Sequence, residues 1–104
     1  MHNLRHIFEL HNFELTNETT KGLEYRHQET GDIVYLLPTK EINVAVSPLS
    51  FNVDLSQSDG KIHSTALKHF PKRLNGGKQP ISFGYSFKFP TEEALSDFLH
   101  TLKN

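Results

Sequence analysis

The stretch 81-ISFGYSFKFPTEEALSDFLHTLK-103 decides how this chain is read. Ile81, Phe83, Tyr85, Phe87 and Phe89 share one parity, and Ser82, Gly84, Ser86 and Lys88 share the other. Side chains alternate across a strand with a period of two, so this is a long strand with a heavy aromatic face. Pro90 ends it, because proline has no N–H to give to a ladder. Thr91 then supplies an N-cap hydroxyl, and Glu92 and Glu93 fall in the first turn of a helix, where carboxylates favour its dipole. Leu95, Phe98, Leu99 and Leu102 form an apolar stripe at helical spacing. A helix over 92–103 is about 18 Å long at ~1.5 Å per residue. Its stripe must be covered, and the aromatic face just before it is the nearest cover.

Working back from this unit, strand signals dominate. Leu23, Tyr25 and His27 alternate with Glu24, Arg26 and Gln28, and Glu29–Asp32 reads as a turn in which Gly31 takes positive φ. Ile33–Leu37 is apolar on both faces, as a central strand is, and Pro38 closes it. Ile42, Val44 and Val46 alternate next, then Phe51, Val53 and Leu55 after Pro48. Four such runs read as an antiparallel meander. Before them, Leu4, His6, Phe8 and Leu10 share a strand parity, which flips at Phe13 and Leu15. A strand with a bulge or tight turn near His11-Asn12 accounts for this. Leu4, Ile7, Phe8, His11 and Leu15 also make a helical stripe, but Leu10 and Phe13 would lie outside it. Ser64–Phe70 fits a short helix capped by Ser64 and stopped by Pro71, and residues 62–67 also alternate loosely as a strand would. The expected fold class is α+β: an antiparallel sheet of five or six strands with a C-terminal helix packed on one face.

Composition bounds the rest. Leu, Ile, Val and Phe make up 30 of 104 residues, enough for one modest core, so residues 1–104 are expected to form a single domain. There is no cysteine, which removes disulfides, thiolate nucleophiles and Cys-ligated metal centres. The longest strictly apolar run, Ile33–Leu37, is far short of the ~20 residues of a membrane helix. No targeting segment is evident, and a cytoplasmic location without membrane contact is the expectation.

The net charge of −1 conceals a segregated map. Residues 1–59 carry four basic and nine acidic side chains, and residues 92–104 carry one and three. Between them, Lys61, Lys68, Lys72, Arg73, Lys78 and Lys88 stand with no acid at all. His63 and His69 lie in the same stretch and add charge when protonated. Bases, a stacking surface at Phe70 and an open backbone at Gly76-Gly77 are the ingredients of an anion-binding segment. The Walker spacing of a phosphate loop is missing. Lys61, Lys68, His69, Lys72, Arg73 and Lys78 are therefore the candidate contacts for an anionic partner, nucleic acid or acidic protein.

The run Ser82–Phe87 resembles the RNP1 signature of RNA recognition motifs in its glycine and aromatics. That motif builds its core from the alternate positions, and Ser82, Gly84, Ser86 and Lys88 cannot do so. The aromatics are read as core instead. The Ser/Gly parity is read as an exposed sheet face, smooth enough for a strand, helix or ligand to approach. The seven histidines include no His-x-His or His-Glu-x-x-His pair. His6 and His27 are expected to be semi-buried and hydrogen-bonded. No metal, cofactor or nucleophile motif is present, so no cofactor is expected. A binding module is the first expectation, with assembly through a sheet edge as an accessory. A small enzyme or metal-binding protein using His63 and His69 is the alternative.

Overall fold

The meander begins one strand earlier than its alternation predicts. It runs β1 (Phe13–Thr19), β2 (Gly22–His27), β3 (Ile33–Leu36) and β4 (Ile42–Val46), all antiparallel neighbours. The computed structural model describes residues 4–49, 53–64, 66–73 and 80–102. Three further strands follow: β5 (Gly60–His63), the two-residue β6 (Lys72–Arg73) and β7 (Ile81–Phe89). The sheet order is β1-β2-β3-β4-β7-β5, with β6 also paired to β7. Helix α1 (Arg5–Leu10) precedes the sheet and α2 (Glu92–Leu102) ends it. This is the α+β architecture with an antiparallel sheet and a C-terminal helix on one face.

The aromatic strand and its helix pack as their sequence dictates. The Thr91 hydroxyl accepts the Ala94 N–H at 3.1 Å, capping α2. Phe98 sits 5.1 Å, centroid to centroid, from both Phe87 and Phe89. Leu95, Leu99 and Leu102 are buried among Val34, Val44 and Val46. Gly31 takes φ 79° in the β2–β3 turn, as expected.

Three local expectations are corrected. Residues 5–10 form α1 rather than a strand. The helix stops at Leu10, so Phe13 no longer has to share its face. Leu4, Ile7 and Phe8 are buried, Leu10 stays exposed, and the parity flip is made by Asn12 at φ 66°. The His11 ring then reaches α2, its Nε2 lying 2.7 Å from Ser96 Oγ. On this helix His6 is exposed and faces Glu92 at 3.8 Å. Second, Leu55–Gln57 is a single 3-10 turn, not part of a strand. The Asp54 carboxylate accepts from both the N–H and the hydroxyl of Ser56, a local bond that competes with a ladder. Val53 and Leu55 still face the core, so their alternation reported burial rather than strand pairing. Phe51 lies outside the described residues.

The third correction concerns 64–70 and the Ser/Gly face. Adjacent strand residues send their backbone groups to opposite edges. The Ser64 N–H donates to the Ser82 carbonyl, and the Phe83 N–H donates to the Pro71 carbonyl. Ser82 and Phe83 are neighbours, so the chain passes from one edge of β7 to the other between Ser64 and Pro71. It crosses over the second face of the sheet as a strap. The strap is turned rather than helical, with i→i+3 bonds from Leu67 to Ser64 and from Phe70 to Leu67. That spacing lets both Leu67 and Phe70 drop onto Tyr35 and Ala45, where they form a second core. Ser82 and Ser86 are buried on this face. The face that read as open is therefore occupied by the chain itself.

Gly84 makes the crossing feasible. A Cβ there would lie 2.7 Å from the Val46 carbonyl oxygen and 2.9 Å from the Phe70 ring. Gly84→Ala is expected to cost about 1–3 kcal/mol by overpacking, and Phe70→Ala about 3–5 kcal/mol. In the Phe70→Ala background the cost of Gly84→Ala should shrink without vanishing, because the Val46 carbonyl remains. Urea unfolding of the two single variants and the double variant checks this, and strict additivity would contradict the contact.

Candidate functional site

Beneath the strap lies a buried carboxylate. Glu24 on β2 pairs in register with Tyr35 on β3, so the two side chains share the second face. Glu24 is 5% exposed. The Tyr35 hydroxyl donates to its Oε1 at 2.9 Å, and the Thr16 hydroxyl donates to its Oε2 at 2.6 Å. The register of β1 slips between Leu15 and Asn17, and this bulge re-aims Thr16 toward Glu24. His69 on the strap brings Nε2 to 3.3 Å from Oε1. Its backbone N–H donates to the Tyr35 hydroxyl at 3.4 Å. Burial, aided by the neighbouring carboxylate, pushes the Tyr35 phenol well above its ordinary pKa of 10.0.

His69 belongs to two environments at once. Its ring is half exposed and lines a shallow pocket of about 210 Å³ with Asp32, Ser47, Leu49 and Phe70. It is thus directed away from the lysines that flank it in sequence. Lys68 and Lys72 instead share a hollow of about 160 Å³ with Pro80, Ile81 and Ser82. Lys68 also lines a second hollow, about 360 Å³, beside Thr19, Thr20 and Lys21. Neither Lys68 nor Lys72 is paired with an acid among the described residues.

The basic stretch therefore converges only in part. Lys61 pairs in register with Tyr85, which packs on the helix-covered core, so Lys61 and the strap lie on opposite faces. Arg73 pairs with Ile81 in β6. Lys78 lies outside the described residues. Phe70 is 5% exposed and set edge-on to Tyr35 at 5.0 Å, so it offers no surface for stacking a base. His63 pairs with Phe83, and their rings stack at 5.8 Å on the helix side of the sheet. His63 and His69 thus stand on opposite faces and do not meet. No group of three or more His, Asp or Glu side chains that could hold a metal occurs among the described residues. His27 is buried, and its Nδ1 accepts the N–H groups of Glu29 and Thr30. Among the described residues no helix is long and apolar enough to cross a membrane.

Sequence reasoning passed over Glu24, Tyr35 and Thr16. The usable signal was the apolar run 33–37. A strand buried on both faces implies that its neighbour is covered on the parity of Glu24 as well. No protein-family model matches the chain, and no curated protein matches it.

The raised Tyr35 pKa has a defined sign in stability. A group held protonated in the fold gives its full contribution below its unfolded pKa and loses it as pH rises through the folded one. Stability should therefore fall above about pH 10. Tyr35→Phe should lose about 1–3 kcal/mol at neutral pH, since Glu24 forfeits a buried donor, and should show a smaller decline above pH 10. Urea titrations across that range check it. Parallel curves for the two proteins would contradict the assignment.

Proposed function

We propose that the protein is a binding module for an anionic partner, nucleic acid or acidic protein, gripped at the strap. The reading is carried by Lys68 and Lys72, which flank one hollow with no acidic side chain paired to either among the described residues. Cations left unpaired beside a concave surface are available to phosphate or carboxylate at little desolvation cost. Lys21 extends the surface on the far side of Lys68. Thr19 and Thr20 border the second hollow and supply hydroxyls. Arg73 continues the same segment along β6, and Lys78 follows in sequence.

The strap supports one mode of contact. Leu67 and Phe70 anchor it to the sheet, so Lys68 is displayed from a seated turn rather than a free loop. With Phe70 buried, recognition runs through the partner's charged groups and not through base stacking. Binding should be salt-dependent and indifferent to base identity.

The test is a titration with oligo-dT and, separately, with polyglutamate. Two or three phosphate contacts predict a slope of log affinity against log salt of about −1.4 to −2 for a single strand. Lys68→Glu with Lys72→Glu should weaken binding about tenfold or more, while Lys61→Glu on the opposite face should change it little. If neither polyanion binds at low salt, or the double reversal is silent, the proposal is wrong.

A further inference from the structure

The basic surface does not explain the network beneath it. Glu24 is the only buried acid among the described residues, and burying a carboxylate is costly even when it is hydrogen-bonded. Stability alone gives little reason for it, since apolar replacements of buried ionic groups are often neutral or stabilising. The network also has a direction. It starts from Thr16 and Tyr35 in the sheet, passes through Glu24, and ends at an imidazole that is 52% exposed. That imidazole forms the wall of a pocket.

We propose that this pocket is a proton-transfer site, in which His69 accepts a proton from a small ligand and Glu24 orients and charge-balances the ring. With its proton on Nε2, toward Glu24, His69 presents Nδ1 as its basic nitrogen. Nδ1 has no hydrogen-bond partner among the described residues. The Thr16 and Tyr35 hydroxyls hold the Glu24 carboxylate from both oxygens, and Tyr35 also receives the His69 backbone N–H. The positioning group is therefore itself positioned. Three groups with titratable protons or charge neighbour His69 from separate elements: Glu24 on β2 beside its ring, Tyr35 on β3 at its backbone N–H, and Asp32 in the β2–β3 turn lining the same pocket, where the Thr30 hydroxyl holds its carboxylate at 3.0 Å.

The pocket also indicates the ligand class. Ile33, Phe70 and Leu49 give it an apolar lining. Leu49 is 71% exposed, one of two large apolar side chains left in water among the described residues. A small molecule the size of a substituted benzene ring, with one apolar and one polar side and carrying an acidic C–H or O–H, suits a space of about 210 Å³ lined by Asp32, Ser47 and His69 as well as these apolar groups. His69 plays no part in the contacts of Lys68 and Lys72, so this site goes beyond the anion-binding reading and stands or falls separately.

A pure proton abstraction tests it. In 5-nitrobenzisoxazole, Nδ1 of His69 would take the ring C–H proton. The C–H electron pair becomes part of the nitrile, the N–O bond breaks, and the oxygen leaves as a coloured phenolate. The reaction needs no oxidant or other reactant. In imidazole-free buffer, His69→Gln should lower the protein-dependent rate about tenfold or more. Glu24→Gln, which keeps the histidine, should lower the rate severalfold and displace the pH–rate profile from that of the unmodified protein. Glu93→Gln, exposed on α2 on the other side of the sheet, should leave the rate unchanged. His69 is half exposed, so its variant is expected to fold, and circular dichroism with a urea midpoint verifies this. A His69→Gln rate equal to that of the unmodified protein overturns the proposal. An unchanged rate and profile in Glu24→Gln removes Glu24 from it.

Discussion

The contact between Phe70 and the bare backbone of Gly84 is the constraint on which the second half of the molecule depends. β7 is central in the sheet and must be covered on both faces. On one face it carries aromatics, and α2 lies on them. On the other it carries serine and glycine, and there the cover is the strap of the chain itself. The two solutions are complementary in volume. Large side chains on the sheet meet a helix that stands off, whereas small ones admit a turn that presses close. Any Cβ at Gly84 would lift the ring that seats the strap.

What the strap covers is as consequential as what it carries. Glu24 and Ser82 are buried where this short segment lies against them. Its turned backbone sends consecutive side chains in different directions. Leu67 and Phe70 go down into the sheet, Lys68 goes outward to two hollows, and His69 returns to the edge of the buried carboxylate. A helix over the same residues would have presented one amphipathic face. The turns instead separate an apolar anchor, a cationic side chain and a histidine set against a buried carboxylate within four residues.

The parts of the fold legible in the sequence are those that local periodicity governs. β7 and α2 are long, and every residue in them agrees with one period, so Thr91 as cap and Phe98 on the aromatic face followed directly. The central character of 33–37 was legible for the same reason. Residues 5–10 were ambiguous because a helix under two turns long supports too few positions to separate a period of 3.6 from 2. Val53 and Leu55 show the converse limit: alternation reveals which side chains are inward, but Asp54 bonding to Ser56 decides the backbone. The strap was illegible because its path is set by a tertiary vacancy at Gly84, and no property of residues 64–70 announces that. Glu24 was missed by the same route. Its burial comes from a segment some forty positions away.

The charge map acquires a physical meaning in this light. The acidic first half of the chain builds four strands of the sheet, and the basic stretch crosses β7 beside them and reaches Ala45, Tyr35 and Glu24. Segregation of this kind is commonly spent on internal pairing, and part of it is: His69 meets Glu24, and Lys88 meets Glu41 at 3.8 Å. Lys68 and Lys72 have no such partner among the described residues. Fold stability does not account for their position, since an exposed cation stabilises little without a partner. Nor does it account for a carboxylate enclosed beneath an exposed imidazole. Both features lie on the strap side of the sheet, whereas the helix side is an aromatic and aliphatic core. These features share the face where β7 has the smallest side chains, because a close-lying turn directs neighbouring side chains to different places, where a helix would present one amphipathic face.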